Sequence, residues 1–167
     1  MREEVATAFV GVGANLGDTL CTAQAALSEL SRFAGIDAVR VSPWYRSAPV
    51  DAVGPDFVNA VAEVRTRLTA PALLTILQGL EDAAGRQRPY RNAPRTLDLD
   101  LLCFGGAQIS STRLSIPHPR MWGRAFVLRP LHDLAPQWVS DVQLAAVASQ
   151  GVWPLADAAN ERRVQMT

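Results

Sequence analysis

The chain contains no lysine: all 16 of its basic residues are arginine. A P-loop that grips phosphate with a lysine is therefore excluded, and a phosphate site must use guanidinium groups, which can pair with phosphate through two parallel hydrogen bonds. Genome composition alone can also produce this bias. The arginines are balanced by 16 acidic residues, so the net charge is zero. No overall field favours nucleic acid or an anionic membrane as a partner.

Cysteine is also scarce. Cys21 and Cys103 form neither a CxxC motif nor a metal-binding spacing, so we expect reduced thiols in a cytoplasmic protein. The N-terminal segment lacks the pattern of a signal peptide, and its apolar run is too short to span a bilayer. With 167 residues, 49% of them hydrophobic, the sequence predicts a single domain over 1–167, with its least defined part after about residue 152. We expect a monomer, although no feature of the sequence gives the oligomeric state.

The predicted elements follow the order β-α-β-β-α-β. Apolar runs and alternation predict strands at 6–13, 37–47, 57–66 and 97–104, with helices to about 33 after a cap at Asp18 or Thr19, and from the Thr69 cap to about 84. A hairpin near 108–110, a loop over 113–119 and helices at 124–134 and 141–149 follow. This order is the ferredoxin-like pattern of the α+β class, a βαββαβ core. Additional strands and the C-terminal helices extend it to a three-layer α/β/α arrangement.

Polar and apolar residues alternate from Leu97 to Leu101. Successive side chains of a strand point to opposite faces, so Asp98 and Asp100 share one face. Two neighbouring carboxylates repel each other, and a divalent cation such as Mg²⁺ removes that conflict. The alternative is an edge strand with a solvated acidic face. Because the run continues as apolar residues through 102–104, we expect an interior strand rather than an edge.

Four arginines lie immediately before the acidic strand: Arg86, Arg88, Arg91 and Arg95. Taken alone, such a loop is as consistent with a solvated surface as with a binding site. Its position beside two carboxylates favours a polyphosphate ligand, since Mg²⁺ bridges phosphate oxygens and guanidinium groups neutralise the charge of a transferring group.

Three further side chains are candidates for ligand contacts. Phe57 and Asn59 alternate on one strand, so an aromatic face and an amide that can pair with a heterocycle edge project together. His118 lies between two prolines and is flanked by Arg113 and Arg124. The alternatives are core packing for the phenylalanine, backbone pairing for the asparagine and a structural role for the histidine.

Gly11 and Gly13 suggest a dinucleotide-binding loop, but the pattern is weak. Gly11 falls inside the predicted strand, the third glycine is misplaced, and no acidic residue ends a second strand at the expected distance.

Together, the motifs resemble the 6-hydroxymethyl-7,8-dihydropterin pyrophosphokinase family of folate synthesis. The agreement runs from about Phe9 to Pro136 and is carried by five segments. They are Val12-Gly13-Ala14-Asn15-Leu16-Gly17-Asp18, Phe57-Val58-Asn59-Ala60, the run from Gln78 and Glu81 to Gly85-Arg86-x-Arg88, Pro94-Arg95-Thr96-Leu97-Asp98-Leu99-Asp100, and Pro117-His118-Pro119 with Arg124 and Phe126.

The resemblance implies transfer of the β,γ-pyrophosphoryl group of ATP to the hydroxymethyl oxygen of the pterin, releasing AMP. It makes Asp98 and Asp100 ligands of two Mg²⁺ ions and, with Arg86 and Arg95, the catalytic residues. It implies ATP contacts from Gln78, Glu81, Arg86, Arg88, Arg95, Arg113, His118 and Arg124. It implies pterin contacts from the backbone of Ser47, Ala48 and Val50, from Asn59, and from the rings of Phe57 and Phe126.

The chain departs from the family pattern at one point. Some members carry a Trp-Gly pair just before the Pro-Arg-Thr run, where this chain has Asn92-Ala93, so loop closure over the site can differ. Two rival functions remain open from the residues. One is another two-metal enzyme such as a nucleotidyl transferase, and the other is a non-catalytic module that binds RNA. The zero net charge and the few aromatic residues near the loop count against the second.

Overall fold

The computed structural model describes residues 4–15, 19–48, 56–85 and 97–155. Two antiparallel sheets and four α-helices make up this part of the chain. The strands are β1 (Ala6–Asn15), β2 (Ile36–Val41), β3 (Tyr45–Ser47), β4 (Phe57–Thr66), β5 (Asp98–Phe104), β6 (Ile109–Ser110), β7 (Ser115–Ile116) and β8 (Val152–Pro154). The helices are α1 (Thr19–Leu30), α2 (Ala70–Gly85), α3 (Ala125–Leu134) and α4 (Asp141–Ala146).

The main sheet has the order β5-β1-β4-β3-β8, with β2 also pairing with β4. All pairs are antiparallel. Because β2 and β3 both lie against β4, they occupy one strand position of the core. If β2 and β3 together count as the second core strand, the core strands lie in the order β5 (fourth), β1 (first), β4 (third) and β2/β3 (second). With α1 and α2 as the two crossovers, this is the predicted ferredoxin-like arrangement.

Helices cover both faces of the main sheet. On one face, α1 and α2 pack against Ala8, Val10 and Val12 of β1. On the other, α3 packs against Phe9 and the side chains of Val61 and Leu102. Alternate residues of a single strand therefore contribute to two separate cores, as period-two geometry requires. This confirms the three-layer prediction, in which the third layer comes from the C-terminal helices.

The strand predicted at 37–47 is in fact two strands. Residues 42–44 interrupt it because Pro43 has no amide hydrogen to donate to the ladder. At the break, Ser42 hydrogen-bonds Val61 twice: its amide donates to the Val61 carbonyl at 2.9 Å, and its hydroxyl accepts from the Val61 amide at 2.9 Å. The second half, β3, is thereby turned to meet β8, a strand within the tail region that the sequence left undefined.

The expectation that 97–104 forms an interior strand is wrong. Within the described residues β5 pairs with β1 alone and lies at the end of the sheet. Its apolar character has another cause: α2 packs against one face, Leu102 belongs to the second core together with Met121 and α3, and the outer edge is also occupied. The Leu99 amide donates to Glu81 Oε2 at 3.3 Å, and the Leu102 carbonyl accepts from the His118 amide at 2.8 Å. Edge groups that are bonded in this way resist pairing with other chains.

Local signals placed most element ends correctly. The Thr69 hydroxyl accepts a hydrogen bond from the Ala72 amide at 3.3 Å, which is the predicted N-cap of α2. Gly105, at φ 53°, makes the predicted turn after β5 in a conformation that favours glycine. The first helix ends at Leu30 instead of 33. Of its two predicted cap residues, Asp18 lies outside the described residues, and Thr19 is the first residue of the helix. The last helix stops at Ala146 instead of 149.

The hairpin predicted near 108–110 is present, but its second strand, β7, lies in the predicted loop 113–119. None of the described helices is long and apolar enough to cross a membrane.

Candidate active site

A cavity of about 850 Å³ lies on the face of the main sheet opposite α1 and α2. The sheet forms its floor, and the start of α3 and residues 150–152 form its walls. The predicted site residues that line it are Ser47, Ala48, Phe57, Asn59, Asp98, Asp100, Arg124 and Phe126. The other lining residues are Gly11, Val12, Gly13, Ala60, Gly123, Val127, Gln150, Gly151 and Val152.

The floor is organised by the register of three neighbouring strands. Asp98 of β5 pairs with Gly13 of β1, and Gly13 pairs on its other side with Asn59 of β4. Adjacent strands lie about 4.8 Å apart, so the backbones of Asp98 and Asn59 are roughly 10 Å apart. Two residues further along β5, Asp100 pairs with Gly11. A glycine of β1 therefore lies beside each carboxylate, on the side that faces β4 and Asn59.

Asp98 and Asp100 are exposed on the same face of β5, as the alternation predicted, while Leu97, Leu99 and Leu101 are buried on the other. Their hard oxygen atoms suit a magnesium ion. No cluster of three or more potential ligand side chains occurs within the described ranges. A divalent cation held by these two carboxylates would need other oxygen atoms to complete its shell.

The polar half of the cavity is built around Asn59, which is only 6% exposed. Its amide donates to Ser47 Oγ at 2.8 Å, so its partner is a side chain and not the backbone. No other hydrogen bond of this amide occurs among the described residues, which leaves its oxygen and second hydrogen for a ligand. Phe57, at 36% exposure, is one of six large apolar side chains that are exposed within the described residues. It lies two positions from Asn59 on the same face of β4.

Arg124 and Phe126 enter the cavity from the start of α3. The Arg124 guanidinium carbon lies 5.4 Å from the centroid of the Phe126 ring, within cation–π range. Arg124 is the N-cap residue of the helix, and its side chain, which has only donors, makes no capping hydrogen bond. A cationic group and an aromatic face are thus presented together, opposite the sheet.

His118 does not line the cavity, but the charges of the site act on it. Burial lowers the pKa of its imidazole. The Asp100 carboxylate opposes that shift, whereas the Arg124 and Arg120 guanidinium groups reinforce it. Nδ1 accepts a hydrogen bond from the Arg120 amide at 3.2 Å, so the neutral ring carries its proton on Nε2, a donor of the kind that phosphate oxygens accept.

Three predicted nucleotide residues that the structure describes, Gln78, Glu81 and Arg113, do not line the cavity. Arg113 donates to Thr75 Oγ1 at 2.7 Å and to Gln78 Oε1 at 3.4 Å, on the exposed side of α2. Glu81, one turn further along α2, accepts from the Leu99 amide between the two aspartates. Arg86, Arg88, Arg95 and Val50 lie outside the described residues, as does the Asn92-Ala93 departure.

Some residues of the site escaped the sequence reasoning. Gly11 and Gly13 suggest a dinucleotide-binding loop, and Gly13 also belongs to a segment of the family resemblance, but neither is a predicted site residue. Both lie in regular β1 beneath the cavity. Tyr45 does not line the cavity but pairs with Asn59 in the sheet, and it is buried with its hydroxyl bonded to Asp133 on α3. Burial, reinforced by Asp133, raises the pKa of Tyr45 to about 12. The segment 150–152 had no sequence signal, since its contacts depend on tertiary pairing.

Comparison with known proteins agrees with this geometry. Residues 9–136 match the family 7,8-dihydro-6-hydroxymethylpterin-pyrophosphokinase (HPPK). A 2-amino-4-hydroxy-6-hydroxymethyldihydropteridine pyrophosphokinase of Synechocystis sp. is 43% identical over 156 residues, covering 89% of this chain and 80% of the relative. A Pseudomonas aeruginosa protein of the same name is 46% identical over 129 residues, covering 77% of this chain and 80% of the relative.

Solved structures support the fold independently. Plasmodium falciparum HPPK-DHPS, wild type with pterin and p-hydroxybenzoate, superposes with a TM-score of 0.64 over 87% of this chain at 13% identity. The chain spans 43% of that longer protein. At so low an identity the likeness concerns the fold alone, whereas the sequence relatives and the matched segment decide the family. The chain belongs to the 7,8-dihydro-6-hydroxymethylpterin-pyrophosphokinase family.

Proposed function

We propose that the chain carries out the reaction of its family in the cavity above β1, with ATP as donor. In that reaction a pyrophosphoryl group is transferred to the hydroxymethyl oxygen of 6-hydroxymethyl-7,8-dihydropterin, a step of folate biosynthesis. One observation carries the proposal: the register sets a carboxylate and an amide on the same sheet face, with Gly13 between them. We call Asn59, Gly13 and Asp98 the row. Its amide end suits the pterin, and its carboxylate end suits the triphosphate of ATP. The space above Gly13 suits the hydroxymethyl arm of the pterin, whose oxygen must reach the phosphate.

The amide end of the row receives the pterin. Asn59 has already donated one hydrogen to Ser47, so it can offer one donor and one acceptor to the ring edge, and a wrong heterocycle leaves that buried pair unmatched. The backbone of Ser47, Ala48 and Val50 supplies further contacts. The rings of Phe57 and Phe126 stack on the two faces of the pterin.

The acidic end receives the triphosphate. Asp98 and Asp100 would hold magnesium, with two ions expected when ATP is bound, because their carboxylates share one exposed face and offer the hard oxygen atoms that this ion prefers. When bound, these ions neutralise the phosphate oxygens and stabilise the charge that develops during transfer. Arg86 and Arg95 stabilise the same charge. The other nucleotide contacts are Gln78, Glu81, Arg88, Arg113, His118 and Arg124.

Catalysis of the transfer depends more on positioning the two substrates than on proton transfer by a side chain. The hydroxymethyl oxygen forms a bond to the β-phosphorus, the bond from that phosphorus to the α,β-bridging oxygen breaks, and AMP leaves with the electron pair. The hydroxyl proton goes to solvent. In a loose transition state the attacking oxygen needs little base assistance. The residues described above act by holding the two substrates in line and by neutralising charge.

The wider setting is part of the same proposal. We place the enzyme in the cytoplasm as one domain over residues 1–167, acting as a monomer on two small substrates without a nucleic-acid or membrane partner. The zero net charge supports the absence of a nucleic-acid role. Sedimentation equilibrium of the full chain tests the monomer, and a dimer mass would contradict it.

Product analysis tests the reaction. The full chain is incubated with ATP, Mg²⁺ and 6-hydroxymethyl-7,8-dihydropterin, and the products are separated by chromatography. AMP and the pterin diphosphate in equal amounts are expected. Formation of ADP indicates transfer of a single phosphoryl group, and release of pyrophosphate indicates a nucleotidyl transferase. Either product in place of AMP overturns the proposal.

A charge-neutral substitution tests the metal ligands. Asp98→Asn keeps the shape of the side chain but replaces a carboxylate oxygen with an amide, and we expect turnover to fall by about 10³-fold or more. Asp37→Asn is the matched control, because Asp37 is exposed on β2, pairs with Arg67 and does not line the cavity. Calorimetric titration of Mg²⁺ with a non-hydrolysable ATP analogue should lose its signal in Asp98→Asn alone. Retained turnover and metal binding in that variant contradict the assignment.

A further inference from the structure

The start of α3 is capped by a residue far away in sequence. The Ala125 amide, one of the donors that a helix N-terminus leaves without an internal partner, donates to Gln150 Oε1 at 2.8 Å. The same side chain donates from Nε2 to the Gly123 carbonyl at 2.9 Å. Gln150 therefore grips the backbone on both sides of Arg124. It lies beyond residues 9–136, the segment that matches the family.

Arg124 cannot cap α3 itself. An N-cap residue ordinarily uses an acceptor atom of its side chain to satisfy the first amides of the helix, but an arginine side chain has only donors. Arg124 occupies the N-cap position without such a bond, and Gln150 supplies the acceptor that the helix start needs. The guanidinium group of Arg124 faces the cavity and Phe126, whose ring centroid lies 5.4 Å away.

The segment that carries Gln150 is itself anchored to the pterin side of the site. Val152 pairs with Ser47, and Trp153 pairs with Arg46, so β8 extends the sheet beside β3. Ser47 in turn accepts the hydrogen bond from Asn59. Residues 150–152 all line the cavity. One short segment thus connects the wall that carries Phe126 to the floor that carries Asn59.

We propose that Gln150 is a positioning residue: it fixes the distance between the Phe126 ring and the Asn59 amide, and so sets the width of the slot that receives the pterin. The inference rests on the proposed function, because it assumes that the pterin lies between these two groups. Gln150 acts through the backbone of residues 123–125 and needs no contact with the reacting atoms.

The test compares two glutamine-to-methionine variants. Gln150→Met keeps side-chain length and removes both hydrogen bonds. Gln143→Met is the control, because the Gln143 side chain also bonds to backbone, accepting from the Ser140 amide at 2.9 Å in the cap of α4, but does not line the cavity. We expect Gln150→Met to raise the dissociation constant of the pterin about tenfold, with a matching rise in its KM. Gln143→Met should lower thermal stability alone.

A double-mutant cycle separates positioning from general stability. If Gln150 acts by placing the Phe126 ring, its substitution should cost less than about twofold in pterin affinity once Phe126→Ala has removed that ring. Losses that multiply in the double variant overturn the inference, as does unchanged pterin affinity in Gln150→Met. Should Gln150→Met fail to fold, Gln150→Glu keeps the acceptor for Ala125 and loses the donor to Gly123, and we expect an intermediate loss.

Activity of the wild-type chain shows whether the proposed function or only the role of Gln150 has failed. If it forms no pterin diphosphate from ATP, the proposed function fails. If it forms the product, and neither Gln150→Met nor Gln150→Glu changes pterin affinity, only the role of Gln150 fails.

Discussion

Gly13→Ala offers a sharp test of the site, because it is expected to stabilise the protein and to damage the enzyme at once. Gly13 lies in the middle of the row between Asn59 and Asp98. A Cβ atom at this position would lie 3.6 Å from Asn59 Oδ1 and 4.0 Å from Asp98 Cβ, both ordinary van der Waals distances. The protein can accept the methyl group without moving, and the space that the methyl group fills belongs to the cavity.

The effect on stability follows from the backbone. Gly13 lies in regular β1 and has no positive φ, and glycine within a strand is less stable than alanine by roughly 0.5–1 kcal/mol. For a chain of this size a gain of that amount raises Tm by about 1–4 °C. Gly79→Ala is the matched control. Gly79 is exposed on α2 with no atom within 4 Å of its added Cβ, and alanine there gains about as much, since glycine also weakens a helix.

The effect on activity follows from the added carbon, which stands about 1.5 Å above the Cα atom. If the hydroxymethyl group of the pterin crosses Gly13, the added carbon moves it away from the sheet by that amount. A misplacement of about 1 Å can lower the rate on the order of 10²-fold. We therefore expect kcat/KM for the pterin to fall by about 10²-fold in Gly13→Ala and to stay at the wild-type value in Gly79→Ala. Scanning calorimetry and steady-state kinetics measure the two effects. A Gly13→Ala enzyme with wild-type kinetics shows that the substrate does not cross this strand, and a lower Tm shows that the backbone argument is wrong.

Three more predictions can be checked with standard measurements. Asn59→Ala should weaken pterin binding by about 10²-fold in calorimetry, because a buried polar match is lost, and equal losses for pterin and an ATP analogue would argue against this role. Iodoacetamide at about pH 8 should label Cys21 and spare Cys103 in the native protein, because burial raises the pKa of the Cys103 thiol to about 11. Mass spectrometry reads the sites, and rapid labelling of both contradicts the burial. Thr69→Ala should lower the free energy of unfolding by about 1 kcal/mol in urea titration, since it removes the N-cap of α2.

Much of the site could be predicted because period-two alternation is a property of the backbone. Asp98 and Asp100 share a face whatever their neighbours are, and so do Phe57 and Asn59. The same reasoning could not find Gly13 as the residue between these pairs. Which residue lies across from which depends on the register of three strands that are distant in sequence, and the register is fixed only when the two cores pack.

The clearest error and the segment that the sequence left undefined have the same physical cause. The acidic strand was expected in the sheet interior because it is apolar, whereas β5 is an edge strand covered by α2 and by the His118 segment. Hydrophobicity reports that a strand is covered, not which element covers it. In the same way β8, only three residues long and mostly exposed, carries no pattern of its own. It becomes a strand because β3 offers it an unpaired edge.

The composition of the row is itself an argument that it serves a ligand. Three of its features each cost stability, because the fold alone would favour other residues at these positions. They are a glycine within a strand, two carboxylates on one face, and an asparagine with unused hydrogen-bonding groups at 6% exposure. Such departures from what the fold prefers collect at functional sites, where stability and activity pull in opposite directions. Here three of them are aligned across adjacent strands in a single cavity. Substitutions that restore the preference of the fold at these positions should therefore stabilise the chain while removing the function, whereas a set of unrelated surface residues would show no such opposition.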